Sequence, residues 1–149
     1  KYKNNSKKIN KILREEMKFK LDKSNTFSDF FKLINVQKKK LLKLINQIIK
    51  KKETIHGYGA STKGNVLLQY FGISSNKIRY IADRNPEKVN LYTPGTKIKI
   101  VSEFFSRIRK PNYYLVLPWH FKKEIILREK RSIKDGSKFI FPLPKVKIV

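Results

Sequence analysis

The chain has 149 residues and a mass of 17.7 kDa, the size of one domain with room for a short arm. It contains no cysteine, which excludes disulfides, thiolate-bound zinc and cysteine nucleophiles and points to a reducing cytoplasm. The formal net charge of +25 makes polyanions the first partners to weigh, either nucleic acid or an anionic membrane.

The charge itself argues for neither. Lysine outnumbers arginine about four to one, and Asn, Ile, Phe and Tyr are also abundant. All of these have A/T-rich codons, so genome composition is an alternative source of the charge. Dedicated nucleic-acid readers favour arginine, whose planar fork suits phosphate and guanine. Residues 1–52 carry 17 basic and 4 acidic side chains and residues 53–149 carry 19 and 7, so no single basic stripe stands out. Nucleic acid is therefore disfavoured. With two histidines and few carboxylates no metal site is expected. The longest apolar runs fall far short of the roughly 18–20 residues that cross a bilayer, so no membrane partner is expected either. The start, KYKNNSKKIN, lacks the apolar core and cleavage site of a signal peptide. It does not begin with methionine, as expected of a fragment of a longer protein.

In chain order, residues 1–26 read as a basic polar arm. Ile9, Leu13 and Met17 recur at helical spacing with Ile12 beside them, so a short amphipathic helix is predicted there. "DKSNT" reads as a break. A long lead-in helix over 28–52 follows, capped by Ser28, with an apolar stripe of Phe30, Phe31, Ile34, Leu41, Leu42, Ile45, Ile48 and Ile49. Lys38, Lys39, Lys43 and Lys50 lie mostly off that stripe, as a solvated face. After Lys52 the period changes. "TIHGYGA" reads as a strand entering a glycine loop, and "KGNVLLQYFG" as a helix stopped by Gly72. "KIRYIAD" is a strand ending at Asp83, before a turn at Pro86. "GTKIKIV" is a short strand and "SEFFSRIRK" a helix capped by Ser102. "NYYLVLPW" is an apolar strand, "HFKKEIILREKRSIKDG" a single helix, and "KFIFPLPKVKIV" one or two closing strands. Alternating strands and helices from residue 53 onward predict an α/β fold with a doubly wound, mostly parallel sheet. Residues 27–149 form this domain.

In such sheets ligands sit beyond the carboxyl ends of the strands, and the first strand-to-helix turn offers free N–H groups and a positive dipole end to an anion. "HGYGASTKGN" occupies that turn. Gly57 and Gly59 match two glycines of the dinucleotide pattern G-x-G-x-x-G/A, but Thr62 stands in place of the third. Asp83 falls where a ribose-binding carboxylate belongs. A phosphate-binding loop of the G-x4-G-K-S/T type fails, because Asn65 follows Gly64. A methyl-donor loop fails because no acidic residue precedes the glycines. A dinucleotide module binding NAD stays open as the alternative.

Four segments together, "YGASTKGNVLLQYFGI", "YIADRNPEKVNLYTPGTKIKIV", "YYLVLPWHFKKEI" and "GSKFIFPLPKV", resemble the C-terminal domain of S-adenosylmethionine-dependent sugar C-methyltransferases in order and spacing. The likeness covers about residues 36–149. It implies a Rossmann-like fold and a nucleoside-diphosphate sugar as the ligand. It also implies that the S-adenosylmethionine cofactor, the catalytic base and a zinc domain belong to other domains, of the same or a companion chain. This domain alone would be inactive and bind no cofactor. By motif, Gly59, Ala60, Ser61, Lys63, Gly64 and Asn65 would line the substrate side, with the Lys63 ammonium on a diphosphate. Asp83 and Arg84 would end the second strand beside them, and Trp119 and His120 the fourth. His56, inside the first strand, reads as structural. Asn90 stands where the family has glycine, Lys99 where it has proline, and His120 where it has an amide.

Overall fold

A computed structural model of the chain describes residues 6–149. The first five residues of the arm read over 1–26 lie outside the described residues. Contacts divide the chain into two units, one ending at Val36 and the other running from Gln37 to Val149.

In the N-terminal unit, α1 (Ser6–Lys18) carries the apolar spacing read from the sequence, yet none of its side chains is buried. A turn follows in which Thr26 Oγ1 donates to the Lys20 carbonyl at 2.8 Å and the Thr26 N–H to that of Lys23 at 3.2 Å. These bonds set the start of α2 (Ser24–Lys50) ahead of the expected cap, so Ser28 lies inside the helix. Phe30 and Phe31, the first members of the stripe, are exposed.

From Gln37 onward, α2 buries Gln37, Leu41, Ile45 and Ile48, three or four residues apart on one side of the helix. Gln37 is tolerated there because its Oε1 accepts from the Val146 N–H at 3.1 Å. Lys39, Lys43 and Lys50 are exposed, the solvated face the sequence predicts, whereas Lys38 is half-buried and donates to the Tyr70 carbonyl at 2.6 Å.

Six strands form one sheet: β1 (Ile55–Tyr58), β2 (Tyr80–Asp83), β3 (Lys99–Ser102), β4 (Tyr113–Val116), β5 (Lys138–Phe141) and β6 (Lys147–Ile148). Their order is β3-β2-β1-β4-β5-β6, with the first five parallel and β6 antiparallel to β5. This is the doubly wound, Rossmann-like arrangement expected. Every residue of β1 and β4 is buried, as parallel strands covered on both faces require. The helices between them are α3 (Thr62–Phe71), α4 (Glu103–Ile108), α5 (Lys122–Arg128) and α6 (Lys130–Lys134).

Two local readings change. The single helix expected over residues 120–136 is a 3-10 turn (Trp119–Phe121) followed by α5 and α6, with Glu129 at φ −98° between them. The break turns the Glu129 side chain, 2% exposed, into an ion cluster beneath the helices. The strand expected over "GTKIKIV" starts only at Lys99. A tight turn precedes it, in which Thr93 Oγ1 accepts from the Ile98 N–H at 2.9 Å. Asn90 adopts φ +69°, the left-handed conformation for which asparagine is the usual stand-in for glycine.

Alternation puts His56 and Tyr58 on one face of β1 and Ile55 and Gly57 on the other. On the first face Tyr58, Tyr114, Phe139 and Ile125 form one core cluster under the last helices. His56 Nδ1 lies 2.7 Å from the Ser106 hydroxyl on α4, the structural role read for it. Burial, with a contribution from the Arg109 charge, pushes its pKa down to about 4. An unfolded imidazole titrates near 6.5. Between those values the unfolded chain takes up a proton that the native state refuses, so stability falls as pH drops from about 6.5 to 4. A His56→Gln chain should lose this part of the pH dependence, measurable as urea midpoints at pH 7 and pH 4.5.

Candidate functional site

The order of the strands reverses between β1 and β4, where β1 is followed by β2 on one side and β4 by β5 on the other. The crevice beyond their carboxyl ends is the preferred ligand position in this architecture. Residues 59–61 leave β1 there, and residues 117–120 leave β4. The two segments touch closely. Gly59 has φ +79°, and a Cβ on it would sit 2.8 Å from Pro118. Glycine is required at 59 on both counts.

The loop is held from below by the end of β2. Asp83 Oδ2 accepts from the Ala60 N–H at 2.6 Å, and Asp83 Oδ1 accepts from the Asn85 N–H at 2.8 Å. Lys88, on the 3-10 turn Pro86–Lys88, donates its ammonium to the Ala60 carbonyl at 3.0 Å and lies 3.8 Å from Asp83. Asp83 and Lys88 together therefore clamp both polar groups of Ala60. Asp83 positions the loop, and each of its oxygens is already bonded to a backbone N–H. Gly57, the other glycine of the dinucleotide pattern, is inside β1, where a Cβ would come within 2.6 Å of Ile81. Its absence of side chain serves strand packing.

At the start of α3, Ser61 is the N-cap and its Oγ accepts from the Gly64 N–H at 3.1 Å. The hydroxyl proton of Ser61 stays available to an acceptor. The first-turn N–H groups of Thr62 and Lys63 have no intrahelical acceptor, as in any α-helix. Gly64 packs directly on Leu117, so the first turn of α3 lies flush against the end of β4.

A cavity of about 320 Å3 opens between this turn and the 88–100 segment. Ala60, Ser61, Thr62 and Asn65 line one side, and Lys88, Thr93 and Ile100 line the other. Lys63 is exposed on the same turn and is not part of the lining; Lys88 is the cation that the fold brings to the cavity. Nothing in the sequence marks Lys88 among so many lysines, apart from its place two residues after Pro86.

The remaining residues lie on the same edge of the sheet but apart from the cavity. Arg84 is exposed just past β2. Trp119 is half-buried and packs against the core cluster of Tyr58 and Phe139. His120 is exposed, with its ring 4.3 Å from that of Phe121 and 6.1 Å from that of Trp119. Of the residues singled out in the sequence, Ala60, Ser61 and Asn65 line the cavity; Gly59, Gly64 and Asp83 shape or hold the loop without lining it, and Lys63, Arg84, Trp119 and His120 lie outside the lining.

A second polar group sits under β1. The Tyr58 hydroxyl lies 2.8 Å from Glu129 Oε1 and 2.9 Å from Glu103 Oε1, and it accepts from Arg128 at 2.7 Å. Arg107 joins both carboxylates, and Ser132 donates to Glu129 at 2.8 Å. Burial pushes the Tyr58 phenol far up, so it stays neutral. Burial alone would raise the Glu129 pKa, but bonds from Arg107, Ser132 and Tyr58 outweigh it and hold the carboxyl below its usual range. Two carboxylates face two guanidinium groups here, so the charges are satisfied among themselves. The cluster ties α4, α5 and α6 to β1.

No group of carboxylates and histidines suited to a metal occurs among the described residues, and no described helix is long and apolar enough to cross a membrane. Compared with known proteins, the chain matches a family model over residues 1–144, described as the C-methyltransferase C-terminal domain. It is also 30% identical over 141 residues to the C-methyltransferase NovU of Streptomyces niveus. That alignment covers 95% of this chain and 34% of the relative, so the chain spans about a third of the length of the curated protein it matches.

Proposed function

The chain belongs to the C-methyltransferase C-terminal domain family, and from that premise we propose that it holds the nucleoside-diphosphate sugar on which such an enzyme acts. The observation that carries this reading is the clamped loop at the switch point. Ala60 is fixed through both its N–H and its carbonyl, which presents the open first turn of α3 to an anion. The N–H groups of Thr62 and Lys63, the Ser61 hydroxyl and the Lys63 ammonium are the donors for a diphosphate. The methyl donor and the base that deprotonates the sugar are assigned to other domains. The loop favours a sugar nucleotide over S-adenosylmethionine or NAD. The carboxylate that would receive their ribose hydroxyls, Asp83, is 11% exposed and already holds the Ala60 and Asn85 N–H groups, which favours the sugar-nucleotide reading.

Calorimetric titration at physiological salt tests the proposal, with uridine and thymidine diphosphate-sugars compared with NAD and with pyrophosphate. Saturable binding of the sugar nucleotides, not matched by pyrophosphate, is the expected result. Lys63→Ala should weaken it about fivefold, the share of one exposed charge-assisted hydrogen bond. Binding of NAD alone would replace this reading with a dinucleotide module. A basic surface acting on nucleic acid would instead show affinity for any polyanion that falls steeply with salt.

A further inference from the structure

At the amino end of the sheet, the edge opposite the glycine loop, a second cavity of about 380 Å3 opens beside the first residues of β1 and β2. That volume is within the range of small-ligand sites. Three cations line it, Lys77, Arg79 and Arg109, against one carboxylate, Glu53. None of the three has an ion-pair or hydrogen-bond partner for its charge among the described residues. The two guanidinium groups are held in place all the same. Arg79 and Arg109 lie 5.5 and 5.8 Å from the centre of the Tyr80 ring, and Arg109 is also 3.9 Å from that of Phe105. An aromatic face steadies a guanidinium plane without occupying its N–H groups. Two such forks and an ammonium, all with open donors, suit a phosphate.

The same cavity carries acceptors. His56 is 6% exposed and lines it. Its Nδ1 lies 2.7 Å from Ser106 Oγ, and that hydroxyl donates its one proton to the Tyr114 hydroxyl at 3.1 Å. Proton counting puts the imidazole hydrogen on Nδ1 and leaves Nε2 as a bare acceptor, without a partner among the described residues. Burial and the Arg109 charge keep the ring neutral at pH 7. Glu53 is the second acceptor. Its Oε2 is buried and receives no hydrogen bond, and rotation about the soft terminal torsion turns that oxygen toward the cavity. A bare anion would meet the cations but leave both acceptors without a donor, and it would face the Glu53 charge. A phosphate ester with hydroxyl groups satisfies the cations with one end and the acceptors with the other.

We propose that this cavity binds a small hydroxylated phosphate ester of the sugar-phosphate class, with Lys77, Arg79 and Arg109 on the phosphate and His56 Nε2 and Glu53 on the hydroxyls. The length of β1, about 10 Å, separates it from the glycine loop, so its occupant is a second ligand and not an extension of the one held there.

Ribose 5-phosphate titrated into the isotope-labelled 149-residue chain at pH 7 and physiological salt, followed through the imidazole nitrogen resonances, makes the test. The His56 Nε2 signal should move saturably toward its protonated position as it accepts a hydroxyl hydrogen. Inorganic phosphate should bind about tenfold more weakly, the effect of losing the bonds to two acceptors. Arg79→Ala, at an exposed position, should weaken ribose 5-phosphate about fivefold. Glu53→Ala should act oppositely on the two probes, weakening ribose 5-phosphate and strengthening inorganic phosphate, because it removes an acceptor and a negative charge together. Thermal melts of both variants check that the fold is intact. A shift confined to His120, at the opposite edge of the sheet, would place the ligand at the glycine loop and overturn the proposal. A His56 signal that does not move, inorganic phosphate that binds as tightly as ribose 5-phosphate, or an affinity unchanged in Arg79→Ala would each overturn it as well.

Discussion

A Gly64→Ala chain is expected to be less stable than the unsubstituted chain by about 2 kcal/mol, although alanine is the better helix former. Propensity alone would favour the substitution by about 1 kcal/mol. The added methyl group, however, meets the Cβ of Leu117 well inside van der Waals contact and approaches Ser61 Oγ at 2.9 Å. Overpacking against the end of a buried strand costs about 1–3 kcal/mol. Disturbing the Ser61 cap adds about 1 kcal/mol, because that hydroxyl satisfies the Gly64 N–H. Sterics win because β4 cannot retreat: Leu117 is 1% exposed, and its N–H is bonded to the Tyr58 carbonyl at 3.0 Å. Urea unfolding at pH 7 measures the difference. Equal or greater stability in Gly64→Ala would mean that α3 does not lie flush on the strand, and the cavity geometry would fall with it.

Glu129→Ala is expected to cost a similar amount, about 2 kcal/mol at pH 7, by a different mechanism. The carboxylate is 2% exposed and receives bonds from Arg107, Tyr58 and Ser132. Its removal leaves Arg107 and Arg128, 40% and 37% exposed, with Glu103 as their remaining carboxylate partner and takes an acceptor from Tyr58 and Ser132, so the cost is that of a partly buried pair broken from one side. The sign of the pH dependence follows from the direction of the shift. The folded-state pKa of Glu129 lies below its ordinary value of 4.5, so its contribution is complete above that value and is lost as pH falls through the lower folded pKa. The gap between Glu129→Ala and the unsubstituted chain should therefore be constant from pH 5 to 7 and close only at lower pH. That window lies below the one assigned to His56, so the two groups can be separated in one set of unfolding curves. A gap under about 1 kcal/mol would show that the cluster is a screened surface network.

Much of the fold was legible in the sequence because the signals are local. Ser102 caps α4 by accepting from the Phe105 N–H at 3.1 Å, and Gly72 ends α3 at φ +69°. The continuous apolar run "YYLV" is a strand buried on both faces. Each of these depends on residues a few positions apart. The helix expected over 120–136 failed for the converse reason. Its periodicity is sound, but Glu129 answers to Tyr58, 71 residues away. The Phe30 and Phe31 stripe had sound periodicity too, but spacing sets which residues share a face and does not say what covers that face.

The candidate site divides in the same way. From the sequence alone came the glycine loop at the first turn of a parallel sheet, the small and hydroxyl residues Gly59 to Ser61, and Asn65 one turn into the helix. Tertiary structure alone decided what each of them does. It placed Gly57 inside β1 for packing, committed Asp83 to the backbone of Ala60 and Asn85, and brought Lys88 rather than Lys63 to the cavity. The physical reason is the range of the interactions. Turn chemistry and helix caps are encoded within about four residues. A clamp between residue 60 and residues 83 and 88 exists only after β2 has docked beside β1 and carried those side chains across the sheet.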